Sequence, residues 1–452
     1  MASAAEQLAA NLNFGAFAKA TELKRRLWFT LGVLIVYRLG TYIPVPGIDA
    51  AVMAELVRTH GRGILGMFDM FTGGALGRMT VFALNIMPYI SASIIMQLMT
   101  AASPTLEQLK KVGEQGRKKI NQYTRYLTVL IATVQAYGIA VGLEGVQGTF
   151  GPAVAEPGMF FRFSAVVTLV GGTIFLMWLG EQITARGVGN GISLIIFAGI
   201  VANLPSALAA TLELGRTGAI STFMLLFLIV MAAAVVAAVV FIERAQRRIS
   251  VQYPKRQVGN RMFGGDSTHL PLKINTSGVI PPIFASSLLL LPVTVAGFSA
   301  EGGPEWLQPI TAALAHGQPL YMILYAAMIV FFAFFYTAVV FNPKDTADNL
   351  RKHGGFIPGI RPGEKTAEYI DYVLTRITVV GAIYLAAVCV MPEMLTAYAA
   401  VPFYFGGTSL LIAVSVTMDT VAQIQSHLLA HQYEGLIKKA KLRGATSRGG
   451  RR

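Results

Sequence analysis

The 452-residue chain holds few groups that could make or break a covalent bond. Its six histidines are scattered, it has no His-Glu-x-x-His pattern and no paired Cys/His ligands, and its single cysteine rules out an intrachain disulfide. Gly363-Glu364-Lys365-Thr366 has the outline of a phosphate loop's end, but Gly and Lys are not adjacent and the upstream glycine spacing fails. Gly187-Val188-Gly189-Asn190-Gly191 lacks the third glycine of a dinucleotide fingerprint and opens an apolar run, which a tight turn at a helix start explains better. Groups that bind coupling ions are equally scarce. The apolar runs offer only Arg38 and Asp419, each near an end, and 163–180, 187–212, 219–242 and 274–300 carry none. No cofactor, metal or catalytic residue is expected.

What repeats instead is isoleucine. Ile86 and Ile90 are four apart and share one helix face, and Ile192 and Ile196 repeat the spacing in GISLIIFAG. Such residues ordinarily face lipid or pack in a core. Around a pore they would form a dry constriction that stops water and ions.

The elements that position them are membrane spans. The chain is 54% hydrophobic and 13% charged, about half the charge of a soluble domain. A first span covers 27–43, with Pro44 and Pro46 ending it. Charge-free runs follow at 79–106, 126–143, 163–180, 187–212, 219–242, 274–300, 306–343, 377–392 and 394–418. The 306–343 span starts near Leu320, and Pro392 with Glu393, then Pro402, separate the last two. The expected fold is an all-α polytopic membrane protein of ten transmembrane helices. Two sets of five, an odd number, would be inverted halves if they are related. The halves run 27–212 and 213–428, between a short N-terminal segment (1–26) and a basic tail (429–452). The first twenty residues hold no apolar core before a cleavage site, so no signal peptide is expected. Cys389 lies in an apolar run and reads as a buried, inert thiol.

Of the 37 basic residues, 31 fall in 1–26, 102–125, 181–190, 243–276, 342–376 and 429–452, which places both termini and these loops in the cytoplasm. The loops 243–276 and 342–376 could meet anionic lipid, an acidic partner or ribosomal RNA. The rigid turn Phe356-Ile357-Pro358-Gly359-Ile360-Arg361-Pro362-Gly363 favours packing onto a loop over a lipid anchor.

One segment fails to span. Ile64 to Leu76, fenced by Arg62 and Arg78, has thirteen residues and as a helix reaches about 20 Å against a hydrocarbon core of about 30 Å. It either lies at the interface or re-enters where protein shelters its ends.

From about Glu22 to Lys441 the sequence resembles the SecY family, the central subunit of the protein-conducting channel. The motifs that carry this are MFTGGALGRMTVFALNIMPYISASIIMQL (67–98), GRKKINQYTRY (116–126), GEQITARGVGNGISLIIFAGIVA (180–202), STHLPLKINTSGVIPPIFASS (267–287), FFYTAVVFNPKDTADNL (334–350), FIPGIRPGEKTAEYI (356–370) and VPFYFGGTSLLI (401–412). The resemblance implies a central pore closed by a re-entrant plug helix at 64–76, with Phe68, Asp69 and Phe71 on it and Gly73-Gly74 as its hinge. It implies a pore ring of Ile86, Ile90, Ile192, Ile196, Ile283 and Ile412. It implies a lateral gate between the second and seventh spans, where Ser91 faces Leu291 and Gln97 approaches Asn275. Lys255, Arg256, Arg261 and Arg361 would dock the SecA motor ATPase and the ribosome. Implied partners also include SecE and SecG, signal peptides and nascent chains, anionic lipids, SecDF and YidC, all at the bacterial inner membrane. A passive channel driven by partners is thus favoured over an ion-coupled transporter or a poreless scaffold.

Overall fold

The computed structural model of the chain describes residues 20–49, 51–53, 55, 69, 72–144, 147–148, 151–218, 221–253, 256–258, 261–263, 267–297, 318–399 and 407–448. The first set of long helices comprises α1 (Thr21–Gly40), α2 (Met87–Ala102), α4 (Glu114–Glu144), α5 (Met159–Arg186) and α6 (Gly191–Arg216), with α3 (Pro104–Lys111) a short surface helix. The second set is α7 (Thr222–Arg244), α8 (Ile280–Gly297), α9 (Pro319–Val340), α11 (Glu364–Ala399) and α12 (Gly407–Arg448), with α10 (Pro343–Lys352) on the surface. Each of the ten long helices holds part or all of one expected span, the last run, 394–418, being shared between α11 and α12. Seven are long and apolar enough to cross a membrane on length and composition. The other three are the short apolar α2, the apolar part Ile280–Leu289 of α8, and α1, which carries Arg38 and the Lys24-Arg25-Arg26 cluster.

Two helix boundaries depart from expectation. The second span does not begin at Met79: residues 81–86 form turns and α2 starts at Met87. Met79 (φ 47°) and Asn85 (φ 49°) are left-handed, a conformation a right-handed helix cannot include, and Pro88 suits a helix start. Backbone bonds from Val45 to Met79 and from Val81 to Ile43, both 2.9 Å, tie this stretch to the chain leaving α1. Pro392, expected to separate the last two spans, instead lies inside α11, which continues to Ala399. Neighbouring helices can satisfy the carbonyl that proline leaves unbonded.

Within the first set α4 packs on α2 and α5, α6 on α5, and α1 on both α5 and α6. Within the second, α9 packs between α8 and α11, and α12 against α7 and α11. The sets meet along two seams, α2 against α8 and α6 against α12. One apolar core crosses both, with Ile86, Ile195, Phe284, Tyr325 and Leu411 among its buried members. Cys389 is buried there, as its apolar run implied.

The two long loops fold together. Strands β3 (Gln246–Gln252) and β6 (Ser267–Lys273) pair antiparallel, Gln246 opposite Lys273, and β4 (Arg256–Val258) pairs β5 (Arg261–Phe263) beyond them; these are numbered after the small β1 (Gln147–Gly148) and β2 (Gly151–Pro152) hairpin. Gln252 and Phe356 exchange both backbone hydrogen bonds (2.9 and 3.0 Å), so the Phe356–Gly363 turn extends the β3–β6 ladder. Ile249, Val251, Leu272, Ile357 and Ile370 make a separate apolar core beneath it. The turn packs onto the other loop, as its rigidity suggested.

Candidate functional site

Four helices, two from each set, bring five isoleucines to one place. Ile86 and Ile90 from the start of α2, Ile196 from α6, Ile283 from α8 and Ile412 from α12 line a common space with Asn85, Met87 and Ser286. Its volume is about 10 Å³, room for about one water molecule. Ile192, one turn from Ile196, is half-buried and packs against the same core. The glycine-rich turn before α6 sets that register. Asn190 caps the helix by accepting the Ile192 N–H at 3.1 Å. A Cβ on Gly191 would lie 1.9 Å from the Gly180 carbonyl oxygen, so only glycine lets α6 approach α5 this closely. Asn85, Met87 and Ser286 were not foreseen. Asn85 had a signal, because an asparagine just ahead of Met-Pro suits a left-handed residue at a helix entrance.

Directly ahead of this space in the chain is the Gly73-Gly74 turn, both residues left-handed at φ 70° and 83°. Two arginines grip its carbonyls. Arg38 Nη1 donates to Gly73 O at 2.8 Å, Arg78 Nη2 to the same oxygen at 3.0 Å, and Arg78 Nε to Gly74 O at 2.9 Å. The Tyr37 hydroxyl donates to Thr72 O at 3.2 Å. Both guanidiniums also lie over the Tyr42 ring, 4.9 and 4.2 Å from its centroid. Asp69 closes the turn by accepting the Gly77 N–H at 2.5 Å. Burial pushes the Asp69 carboxyl above its usual range, against the pull of that N–H and of Arg78. Phe68 and Phe71 lie outside the described residues.

At the α2–α8 seam Ser91 is buried. Leu291 lies in α8, its side chain outside the described residues. Gln97 and Asn275 do not bond each other. Gln97 donates to Ser93 on its own helix (3.4 Å), and its Oε1 is buried without a partner. Asn275 donates to Glu243 Oε1 (2.6 Å) and Gly278 O (3.1 Å) and accepts from Ser277 Oγ (3.1 Å). Its amide is satisfied within its own set of helices, which explains why it does not reach across to Gln97.

Arg256 and Arg261 sit on the β4–β5 hairpin opposite Phe263 and Val258, their side chains, like Lys255, outside the described residues. Arg361 is exposed in the turn that joins the β3–β6 ladder, its carbonyl accepting from the Thr366 hydroxyl (3.0 Å). Backbone pairing joins the Arg361 turn to β3–β6, while β4–β5 with Arg256 and Arg261 is a separate two-stranded sheet.

Two five-helix sets closed on an isoleucine-lined constriction, with a gripped glycine turn ahead of it in the chain, define a multi-span membrane protein of the channel type. The chain belongs to the SecY family, whose profile matches residues 80–421. It is 58% identical to the protein translocase subunit SecY of Escherichia coli (strain K12) over 424 residues, 94% of this chain and 96% of that one. Its fold is that of a solved protein-conducting channel (TM-score 0.62, 20% identity, 90% of this chain and 92% of that chain covered). It is also that of Sec61 in the canine ribosome-channel complex from the endoplasmic reticulum (TM-score 0.60, 19% identity, 90% and 92% covered).

Proposed function

We propose that this chain is the pore-forming subunit of a protein translocase. It conducts unfolded polypeptides across the bacterial inner membrane and releases apolar segments sideways through the α2–α8 seam. The observation that carries this reading is the isoleucine-lined space of about 10 Å³, drawn from both sets of helices. Flexible apolar side chains there can part around a peptide and still exclude hydrated ions when none is present. The 64–76 segment is its plug, and both termini face the cytoplasm, as the 31 basic residues on one side favour.

The chain is a passive conduit. The basic body built on β3–β6 receives the SecA motor or a translating ribosome, a role in keeping with the ribosome-bound state of the canine relative. Lys255, Arg256, Arg261 and Arg361 make the contacts, and SecE and SecG complete the membrane complex. The experiment is reconstitution of the complex in vesicles with motor and ATP. An unfolded secretory precursor becomes protected from external protease, and Ile412→Asn raises the resting ion conductance about tenfold by letting water into the ring. Failure of the wild-type complex to protect the precursor overturns the reading.

A further inference from the structure

Six residues, 274–279, lead from the end of β6 to the first turn of α8 without helix or strand. They are nevertheless firmly held. Asn275, 3% exposed, donates its amide to Glu243 Oε1 at the end of α7 (2.6 Å) and to Gly278 O across its own turn (3.1 Å). The buried Ser277 hydroxyl donates to Asn275 Oδ1 (3.1 Å), so both amide protons and the oxygen are engaged. The Ile274 N–H donates to Ala245 O, two residues beyond Glu243 (3.1 Å). Helix α11 backs the turn, because a Cβ on Gly381 would lie 2.7 Å from Ile274 O. Gly278 is left-handed at φ 63°, which lets the turn close.

The helices joined by this turn have different neighbours. α7 packs against α12 and α6, whereas α8 packs chiefly against α9 and α2. The Asn275–Glu243 bond therefore crosses from α7 to the entrance of the helix that forms one wall of the α2–α8 seam. Three residues beyond Glu243 and two before Asn275, Gln246 pairs Lys273 at the root of the β3–β6 ladder.

We propose that Glu243 is a positioning residue for the seam: by holding Asn275 it fastens the entrance of α8 to the root of the ladder, so that the two move together. The proposal rests on the channel reading, in which a motor or a ribosome engages the ladder. A hydrogen bond to a carboxylate is about twice as strong as one between neutral groups. Asn275 has almost no surface on which water could replace it. The Ile274–Ala245 bond restrains only the first residue of the turn. Without Glu243 the remainder can flex and absorb a displacement of the ladder. With Glu243 in place the displacement reaches Ile280 and passes along α8 to Ile283, which lines the isoleucine space.

The test measures the seam in the complete translocase, held in lipid nanodiscs, by pulsed electron paramagnetic resonance. Spin labels on Met99→Cys in α2 and Leu288→Cys in α8, both exposed positions, report the separation of the two helices. It is read with and without saturating motor ATPase and a non-hydrolysable ATP analogue. The separation lengthens in the wild type when the motor binds. Glu243→Ala binds the motor with unchanged affinity and loses most of the lengthening. Asn275→Ala loses as much, and the double variant loses no more than either, the non-additivity of a shared bond. Glu243→Gln keeps an oxygen to accept the Asn275 amide, and it keeps the lengthening. Asn275→Asp sets two carboxylates against each other and abolishes it; adding Glu243→Gln supplies a donor and restores it. Without motor, the Ile274 amide exchanges about tenfold faster in Glu243→Ala, the scale of one lost buried hydrogen bond.

Full lengthening in Glu243→Ala, lengthening lost only where motor binding is lost, or unchanged exchange at Ile274 overturns the positioning role and leaves the channel reading standing. No lengthening in the wild type overturns both, so the two failures are distinct.

Discussion

The two seams between the helix sets are closed by different means. At the α6–α12 seam a hydrogen bond crosses from one set to the other: the buried Gly189 N–H donates to Gln423 Oε1 at 2.8 Å. The same turn is bonded to α1, where Val188 N–H donates to Thr30 Oγ1 at 3.1 Å. Among the described residues no hydrogen bond crosses from α2 to α8. Gln97 and Asn275 each bond on their own side, and Gln97 Oε1 and Ser287 Oγ are buried without partners. Apolar contact between helices gains little in lipid, because acyl chains are as apolar as the side chains they replace. A seam held only by such contact parts cheaply, and stranded polar atoms make it cheaper. The bonded seam is thus the better held of the two, and the proposed opening falls on the other.

The largest effect expected from this contrast comes from locking the weaker seam. Ser91→Cys with Leu291→Cys, oxidised to a disulfide, abolishes translocation of a signal-bearing precursor, and a reductant restores it. Normal translocation with the bond fully formed would remove α2–α8 as the opening seam. The stronger seam is attacked by Gln423→Ala, which leaves the buried Gly189 N–H without an acceptor. A loss of about 1–3 kcal/mol is expected, read as a lower unfolding temperature of the purified complex. An unchanged unfolding temperature would mean that the crossing bond holds nothing together. The smallest effect runs the other way. Gln97→Leu removes a buried carbonyl that has no partner and so favours the closed seam, by about 1 kcal/mol. Precursors with weakly apolar signals should then translocate several-fold more slowly, while strongly apolar ones change little. Faster translocation of the weak signals would show that Gln97 holds the seam shut.

Much of this architecture is legible in the residue order because a membrane demands long uncharged runs, and each run found its helix. Boundaries were less so. A charge-free run does not report that Asn85 turns left-handed and delays α2, or that α11 absorbs Pro392. The isoleucine spacing and the family motifs pointed to residues that do converge, since spacing on one helix is a local property. Pairings between distant residues are not local. Nothing along the chain marks Glu243 as the partner of Asn275, or Tyr37 as the donor to Thr72 O. Those bonds exist only once the helices have packed.

The ladder that joins Gln252 to Phe356 has a bearing on how the proposed driving partner engages. A loop that folds only on contact gives up about 1–2 kcal/mol for each residue it orders, and affinity falls by that amount. Here two connections already share a sheet and an apolar core, so the surface is preorganised and most of the interaction with a visitor is retained as binding free energy. The same body joins the ends of α7, α8 and α11. A push on it therefore arrives at several helices at once, as a crank turns a shaft.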